Sequence, residues 1–258
     1  MNETLEAMAR AIFKDWFVDF GPTRAKMEGR APYLAPEIWA LFPNRLDDEE
    51  KPEGWEYVAL TEFSEEVRRG ISPSYISDGG IRVLNQKCIR DRQVNFEPAR
   101  RHDHGRRKVD DRLLRPGDIL VNSTGVGTLG RVAQIWDLHE PTIVDSHVTI
   151  VRPNEGPENA YYVGVNLLNR EQEIEALGEG STGQTELSRT RLSTLSILRA
   201  GEDEQRAFAE LIEPLVKKSL QNGRESETLT ATRDLLLPKL MSGEIRVKDA
   251  EKLAEAAA

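Results

Sequence analysis

From Glu202 to Gly243 the chain keeps a helical period, with Phe208, Leu211, Leu215, Leu229, Leu236 and Leu240 at its apolar positions. Some 40 residues at roughly 1.5 Å rise predict a rod about 60 Å long. A helix of that length, polar on its outer side, cannot bury its stripe alone and asks for a partner helix. Pro214 should kink it, and Asn222-Gly223 is a turn-like pair. The other end of the chain spells a variant of the same helix. Asn2-Glu3-Thr4-Leu5-Glu6-Ala7 answers Ser226-Glu227-Thr228-Leu229-Thr230-Ala231, with Glu, Thr, Leu and Ala in register. Apolar bulk follows both, as Ile12-Phe13 and Leu236-Leu237. A helical motif on either side of a domain-sized insert suggests a modular chain, a folded unit plus a spacer helix.

Residues 2–20 read as an amphipathic helix with Leu5, Met8, Ala9, Ile12 and Trp16 on one face, widened by Phe13, Phe17 and Phe20. Gly21-Pro22 is expected to end it. Its aromatic surface must be covered, by the main domain or by another chain. Residues 21–54 are rich in Pro and acids and read as a linker, although Trp39, Leu41, Phe42 and Trp55 suggest that it packs down. Beyond Trp55 short β-type runs appear, at Ile81–Leu84, Asp118–Val121, Arg131–Ile135 and His147–Val151, separated by Gly, Pro, Asn and Asp. One helix is expected over 158–177. The fold expected is therefore α+β: an N-terminal helix (1–20), a linker (21–54), one mixed α/β domain (55–200), a coiled-coil-type helix (201–243) and a C-terminal tail (244–258).

The formal net charge is −9, which by itself argues against a nucleic-acid partner. The average hides a local excess. Between Arg82 and Arg115 eleven Lys and Arg face five acids, a net of +6 that leaves −15 for the rest of the chain. Such asymmetry suits a localised anionic partner, and it equally suits a solvated, salt-bridged loop. One cysteine, Cys88, rules out an internal disulfide framework and fits a reducing cytoplasm. No secretory signal is visible at the N-terminus, and no apolar run approaches the roughly 18 residues of a membrane span, so no membrane partner is expected.

Gly125-Val126-Gly127-Thr128-Leu129-Gly130 is a literal GxGxxG after a strand. That fingerprint has meaning only where the glycines open a helix that receives a pyrophosphate. Here Arg131–Trp136 reads as a second strand, so the glycines more plainly shape a tight strand connection. The loop Gly180-Ser181-Thr182-Gly183-Gln184 could offer amides to an anion or be an ordinary turn. His102-Asp103-His104 with Cys88 upstream lacks metal-ligand spacing and lies in positive surroundings that repel a cation. Ser123, Ser146 and Ser181 lack a nucleophile-elbow context, and Asp145-Ser146-His147 is adjacent in sequence, which is not how a triad assembles. These residues describe a binder without its own catalysis.

Five segments, in order, then carry a resemblance. They are Pro52-Glu53-Gly54-Trp55-Glu56 leading to Leu60; Arg115-Pro116-Gly117-Asp118-Ile119-Leu120-Val121-Asn122-Ser123-Thr124-Gly125 running into Gly130-Arg131-Val132; Thr142-Ile143-Val144 to Val151-Arg152-Pro153; Gly180 to Gln184 with Leu187-Ser188; and Asp203-Glu204-Gln205-Arg206 with Leu235 to Gly243. Together they resemble the DNA-specificity subunits of type I restriction–modification enzymes. The resemblance implies a target-recognition domain that reads double-stranded DNA, and helices that pair and dock methyltransferase subunits. It also implies a restriction/translocase partner. No cofactor is then expected on this chain, S-adenosylmethionine, ATP and Mg being used by the partner subunits.

Such subunits usually carry two recognition domains, each followed by a helix. Here one is seen, after a segment that resembles the end of a first spacer helix. A half-subunit is therefore expected, working as a homodimer or with another half. Lys and Arg of the basic run would hold phosphates, namely Arg82, Lys87, Arg90, Arg92, Arg100, Arg101, Arg106, Arg107 and Lys108. Asn85, Gln86, Asn122, Ser123, Thr124 and Gln184 are candidates for reading bases. The alternative is an orphan or anti-restriction interaction module without DNA specificity of its own.

Overall fold

A computed structural model describes residues 1–180 and 185–248, and its contacts divide the chain into two units, Ala9–Ile212 and Met1–Met8 with Glu213–Ala258. In the larger unit two four-stranded sheets carry the fold. One runs β2 (Ser64–Arg69), β11 (Val148–Pro153), β8 (Ile119–Asn122), β9 (Val132–Gln134), all antiparallel. The other runs β10 (Thr142–Val144), β4 (Ile81–Leu84), β7 (Arg100–His102), β3 (Tyr75–Ile76), with β10 and β4 parallel. Three short pairs complete the strands: β1 (Glu56–Ala59) with β14 (Ser196–Arg199), β5 (Ile89–Arg90) with β6 (Gln93–Val94), and β12 (Gly178–Glu179) with β13 (Glu186–Leu187).

β8 and β11 are buried along their whole length, which is why residues 119–121 and 148–151 read as largely apolar runs rather than as alternation. Leu84, Ile89, Leu120, Ala133, Val144, Val148 and Ile150 pack into one core, and Cys88 sits in it at 0% exposure. Burial pushes the Cys88 thiol up, so it is a packing residue rather than a nucleophile. At the edge of this core Arg152 clamps Asp118 through both carboxylate oxygens, at 2.7 and 2.8 Å, and donates to the Leu113 carbonyl. Asp118 also accepts the Arg115 backbone N–H, so its buried charge is satisfied from two directions.

The N-terminal helix is shorter than its sequence suggests. α1 is Asn2–Phe17, and Gly21-Pro22 does not end it but opens α2 (Gly21–Met27). The turn is made by Phe20, which takes a left-handed φ of 55°, and Pro22 is tolerated in a first helical turn because that turn has no internal acceptor for its missing N–H. The 21–54 segment also holds α3 (Pro36–Leu41), so it is less a linker than a helical strap. It packs down as expected. Trp16 meets Phe42 at 5.0 Å, and Phe17 meets Trp55 at 5.7 Å, Tyr162 at 4.9 Å and Phe208 at 5.4 Å. The aromatic face of α1 is thus covered within its own unit. Aromatic pairs at such separations contribute about 1 kcal/mol each beyond area burial.

The single helix expected over 158–177 is two, α4 (Pro157–Leu168) and α5 (Glu171–Ala176). Asn169 caps the first, and Arg170 leaves helical geometry between them. α6 (Arg189–Ser193) precedes β14.

α7 (Glu202–Met241) is a single helical element that keeps Pro214 and Pro238 inside it. Pro214 deprives only the Glu210 carbonyl of a donor, and both residues are exposed, so water satisfies it. Asn222 does not turn the chain because its side-chain amide is spent elsewhere in the smaller unit, donating to Asn2 Oδ1 at 2.9 Å, while Asn2 donates to the Ser219 carbonyl. In that unit Leu229, Leu235, Leu237 and Met241 are 51–81% exposed. No described helix is long and apolar enough to cross a membrane.

Candidate nucleic-acid interface

The basic run between Arg82 and Arg115 separates, once folded, into cations that hold the domain and cations that do not. Arg82 and Arg101 are cross-strand partners on β4 and β7, where like charges would repel. Glu140 lies between them, paired with both. The hydrogen bond from Arg101, with the Arg82 charge beside it, holds the Glu140 carboxyl below the usual carboxylate range. Arg82 also lies over the Phe96 ring, at 4.7 Å. Arg92 pairs with Glu171 at 3.3 Å from a left-handed conformation shared with Asp91, as the two-residue turn joining β5 and β6 requires. Arg82, Arg92 and Arg101, expected on phosphates, are therefore first of all structural.

The second set sits on a turn built to present it. His102 is fully buried, and its Nδ1 accepts the Ser74 backbone N–H at 3.0 Å. That bond fixes the tautomer, so Nε2–H donates to the Arg107 carbonyl at 2.9 Å. Asp103 Oδ1 accepts the N–H groups of Gly105 and Arg106. His102, which in sequence extends the basic run, is thus a neutral pin under it. Arg106, Arg107 and Lys108 are exposed, and none has an ion pair among the described residues. The Arg107 side chain donates to the Ser72 carbonyl, and its backbone N–H to the Asp103 carbonyl. Arg100 is exposed beside them and stacks over Tyr75 at 3.3 Å. Lys87 and Arg90 are also exposed, Arg90 reaching only the exposed Asp91 at 3.5 Å. Among the described residues no group of His, Cys, Asp and Glu is gathered as a metal would need.

The candidate base readers divide in the same way. Asn122 and Ser123 are at 0% exposure; Asn122 donates to the Gln86 carbonyl and Ser123 bonds Thr149 Oγ1 at 2.6 Å. Neither can meet a base edge, because Asn122 ends the fully buried β8 and Ser123, directly after it, is equally buried. Asn85 is spent as a cap, accepting from Lys87 N–H and donating to the Pro98 carbonyl. Gln86 and Thr124 remain at the surface, joined by Thr124 Oγ1 to Gln86 Oε1 at 3.3 Å. Gln184 lies outside the described residues.

His147 joins this pair. Its Nδ1 is 2.7 Å from Thr124 Oγ1, its ring is exposed, and its backbone N–H is held by Asp145 Oδ1. Sequence reasoning weighed it only as a triad member, yet its position after the buried Asp145 is what brings it here. The GxGxxG segment is the β8–β9 connection, followed by an antiparallel strand and no helix, so it offers no dinucleotide site. Gly125 has φ +102°, and a Cβ there would stand 2.5 Å from Gln86 Oε1, so only glycine lets the loop close onto Gln86.

No family model matches the chain. The chain is 24% identical over 95% of its length to the type I restriction enzyme HindI specificity subunit of Haemophilus influenzae, covering 62% of that protein. It is 24% identical over 96% of its length to the MjaIX specificity subunit of Methanocaldococcus jannaschii, covering 54% of it. The chain thus spans less than two thirds of either relative. Among solved structures, its fold resembles that of the type I restriction–modification system S subunit from M. genitalium, with a TM-score of 0.55 at 15% identity, over 93% of this chain and 56% of that one. Along nearly its whole length, the chain is similar in sequence to these two specificity subunits of type I restriction enzymes.

Proposed function

We propose that this chain recognises double-stranded DNA and gives a type I restriction–modification complex its sequence specificity. The observation that carries this reading is the pinned turn at Asp103–Lys108. Three exposed cations without ion pairs among the described residues, held in place by a buried neutral histidine, are an arrangement for an anionic partner in a chain that is otherwise acidic. The similarity to two specificity subunits supports duplex DNA as that anion.

In this reading the chain carries no catalysis and no cofactor of its own. Methylation and restriction belong to methyltransferase and translocase subunits that use S-adenosylmethionine, ATP and Mg. The exposed leucines of α7 in the smaller unit support a partner helix, from a second copy or from another subunit.

The test is duplex binding by the chain reconstituted with those subunits, titrated with salt. Sequence-selective binding whose logarithm falls linearly with the logarithm of salt is expected. Subunit assembly with indifference to DNA would instead favour an interaction module without DNA specificity.

A further inference from the structure

Val126 is 85% exposed at the tip of the Gly125–Gly130 loop, while the rest of the loop is tied down. Leu129 N–H donates to the Gly125 carbonyl, Gly130 N–H to the Asn122 carbonyl, Thr128 Oγ1 to the Thr124 carbonyl, and Arg131 to the Gly127 carbonyl. Leu129 is buried beneath. Gly125 and Gly127, both at positive φ, lift the one apolar side chain between them clear of the domain. A valine held in water by a tied-down loop gains the fold nothing from burial.

At the root of that loop, beside Gly125 and Thr124, stand hydrogen-bonding groups with capacity to spare. Thr124 has one hydroxyl proton, and when it goes to Gln86 Oε1 the Thr124 oxygen accepts from His147 Nδ1–H. The Gln86 amide N–H₂ and the second ring nitrogen of His147 then have no partner among the described residues. Lys87, next in the chain to Gln86, is exposed and without an ion pair among the described residues. A loop with an apolar tip, a donor and an imidazole at its root, and a free cation next in the chain to that donor, suits an A·T pair in the major groove. There the thymine C5-methyl is the apolar feature, adenine N7 and N6 supply the polar ones, and phosphates lie alongside.

We infer that the Gly125–Gly130 loop is a base-reading element, in which Val126 packs on a thymine methyl group and Gln86 and His147 hydrogen-bond to base edges beside it. This rests on the proposed function and names the residues that set its specificity. It adds Val126 and His147 to the readers and removes Asn122 and Ser123.

The experiment is selection from a random-sequence duplex library by the chain reconstituted with its modification subunits, for wild type, V126A, Q86A and H147A. Wild type is expected to return a motif, V126A to lose selection at a thymine, and Q86A and H147A to relax adjoining positions. Replacing that thymine by deoxyuridine should weaken wild-type binding roughly three- to fivefold, the value of one buried methyl, and leave V126A unchanged. The uracil arm uses the wild-type protein and so does not depend on any variant folding. A wild-type motif that the three variants reproduce, or wild-type indifference to uracil, overturns the inference and leaves DNA recognition standing. No motif from wild type overturns both.

Discussion

Arg101 and Arg106 are five residues apart in one basic run, yet they do opposite work. Arg101 is locked with Arg82 onto Glu140, on the register of two strands. Arg106 stands on an exposed turn with only its backbone engaged, by Asp103. The difference lies in what the fold brings opposite each side chain. Glu140 arrives from the segment before β10, far along the chain, whereas no described residue arrives opposite Arg106. A count of charges cannot separate the two, because an ion pair formed inside the fold leaves the sum unchanged.

The strongest way to break that contrast is at Arg152, the most buried of the paired cations. Arg152→Ala should destabilise the domain by about 3 to 5 kcal/mol, since it leaves the 1%-exposed Asp118 carboxylate without its cation. Denaturant unfolding reads this directly, and a loss below about 1 kcal/mol would mean that the clamp is not structural.

Glu140→Gln should cost less, about 1 to 2 kcal/mol, by uncoupling Arg82 and Arg101 together. Its effect carries a pH signature. The Glu140 carboxyl titrates lower in the folded chain than in the unfolded one, so its stabilisation is present above the ordinary carboxylate range and is lost as the pH falls through the folded value. The gap between wild type and E140Q should therefore be full at neutral pH and close on acidification below about 4. A gap independent of pH would place the effect in packing instead.

The smallest effect on stability belongs to the exposed turn. Arg106→Ala with Arg107→Ala should change unfolding by no more than about 0.5 kcal/mol. The same pair should lower the log–log salt slope of duplex binding by about 0.9 for each phosphate that is no longer neutralised. Reduced stability with an unchanged slope would move these residues to the structural set.

Much of the scaffold is legible in the chain. The buried strands β8 and β11 stand out as largely apolar runs, the strand after GxGxxG argues against a phosphate-binding helix, and the helical period from Glu202 gives α7, although Pro214, expected to kink it, lies inside one helical element. Misreadings concentrate where a local signal has two outcomes. Gly21-Pro22 can end a helix or begin one, and the conformation of Phe20 decides. Asn222-Gly223 can turn or continue, and the hydrogen bond from Asn222 to Asn2 decides. The candidate interface is legible as a region but not residue by residue. Asn122, Ser123, Thr124 and Gln86 are of one polar type, and only burial and pairing divide them.

By itself the sequence determined the main buried strand runs and the long C-terminal helix, the acidic chain with a basic run, and a resemblance that supports the kind of partner proposed. These follow from local propensity and composition, which do not depend on what lies across the fold. Tertiary structure alone decided which cations are free, which polar side chains reach the surface, and that Gln86 and His147 meet at Thr124. Those are properties of residues far apart in sequence brought within hydrogen-bond distance, and burial and charge pairing are set there.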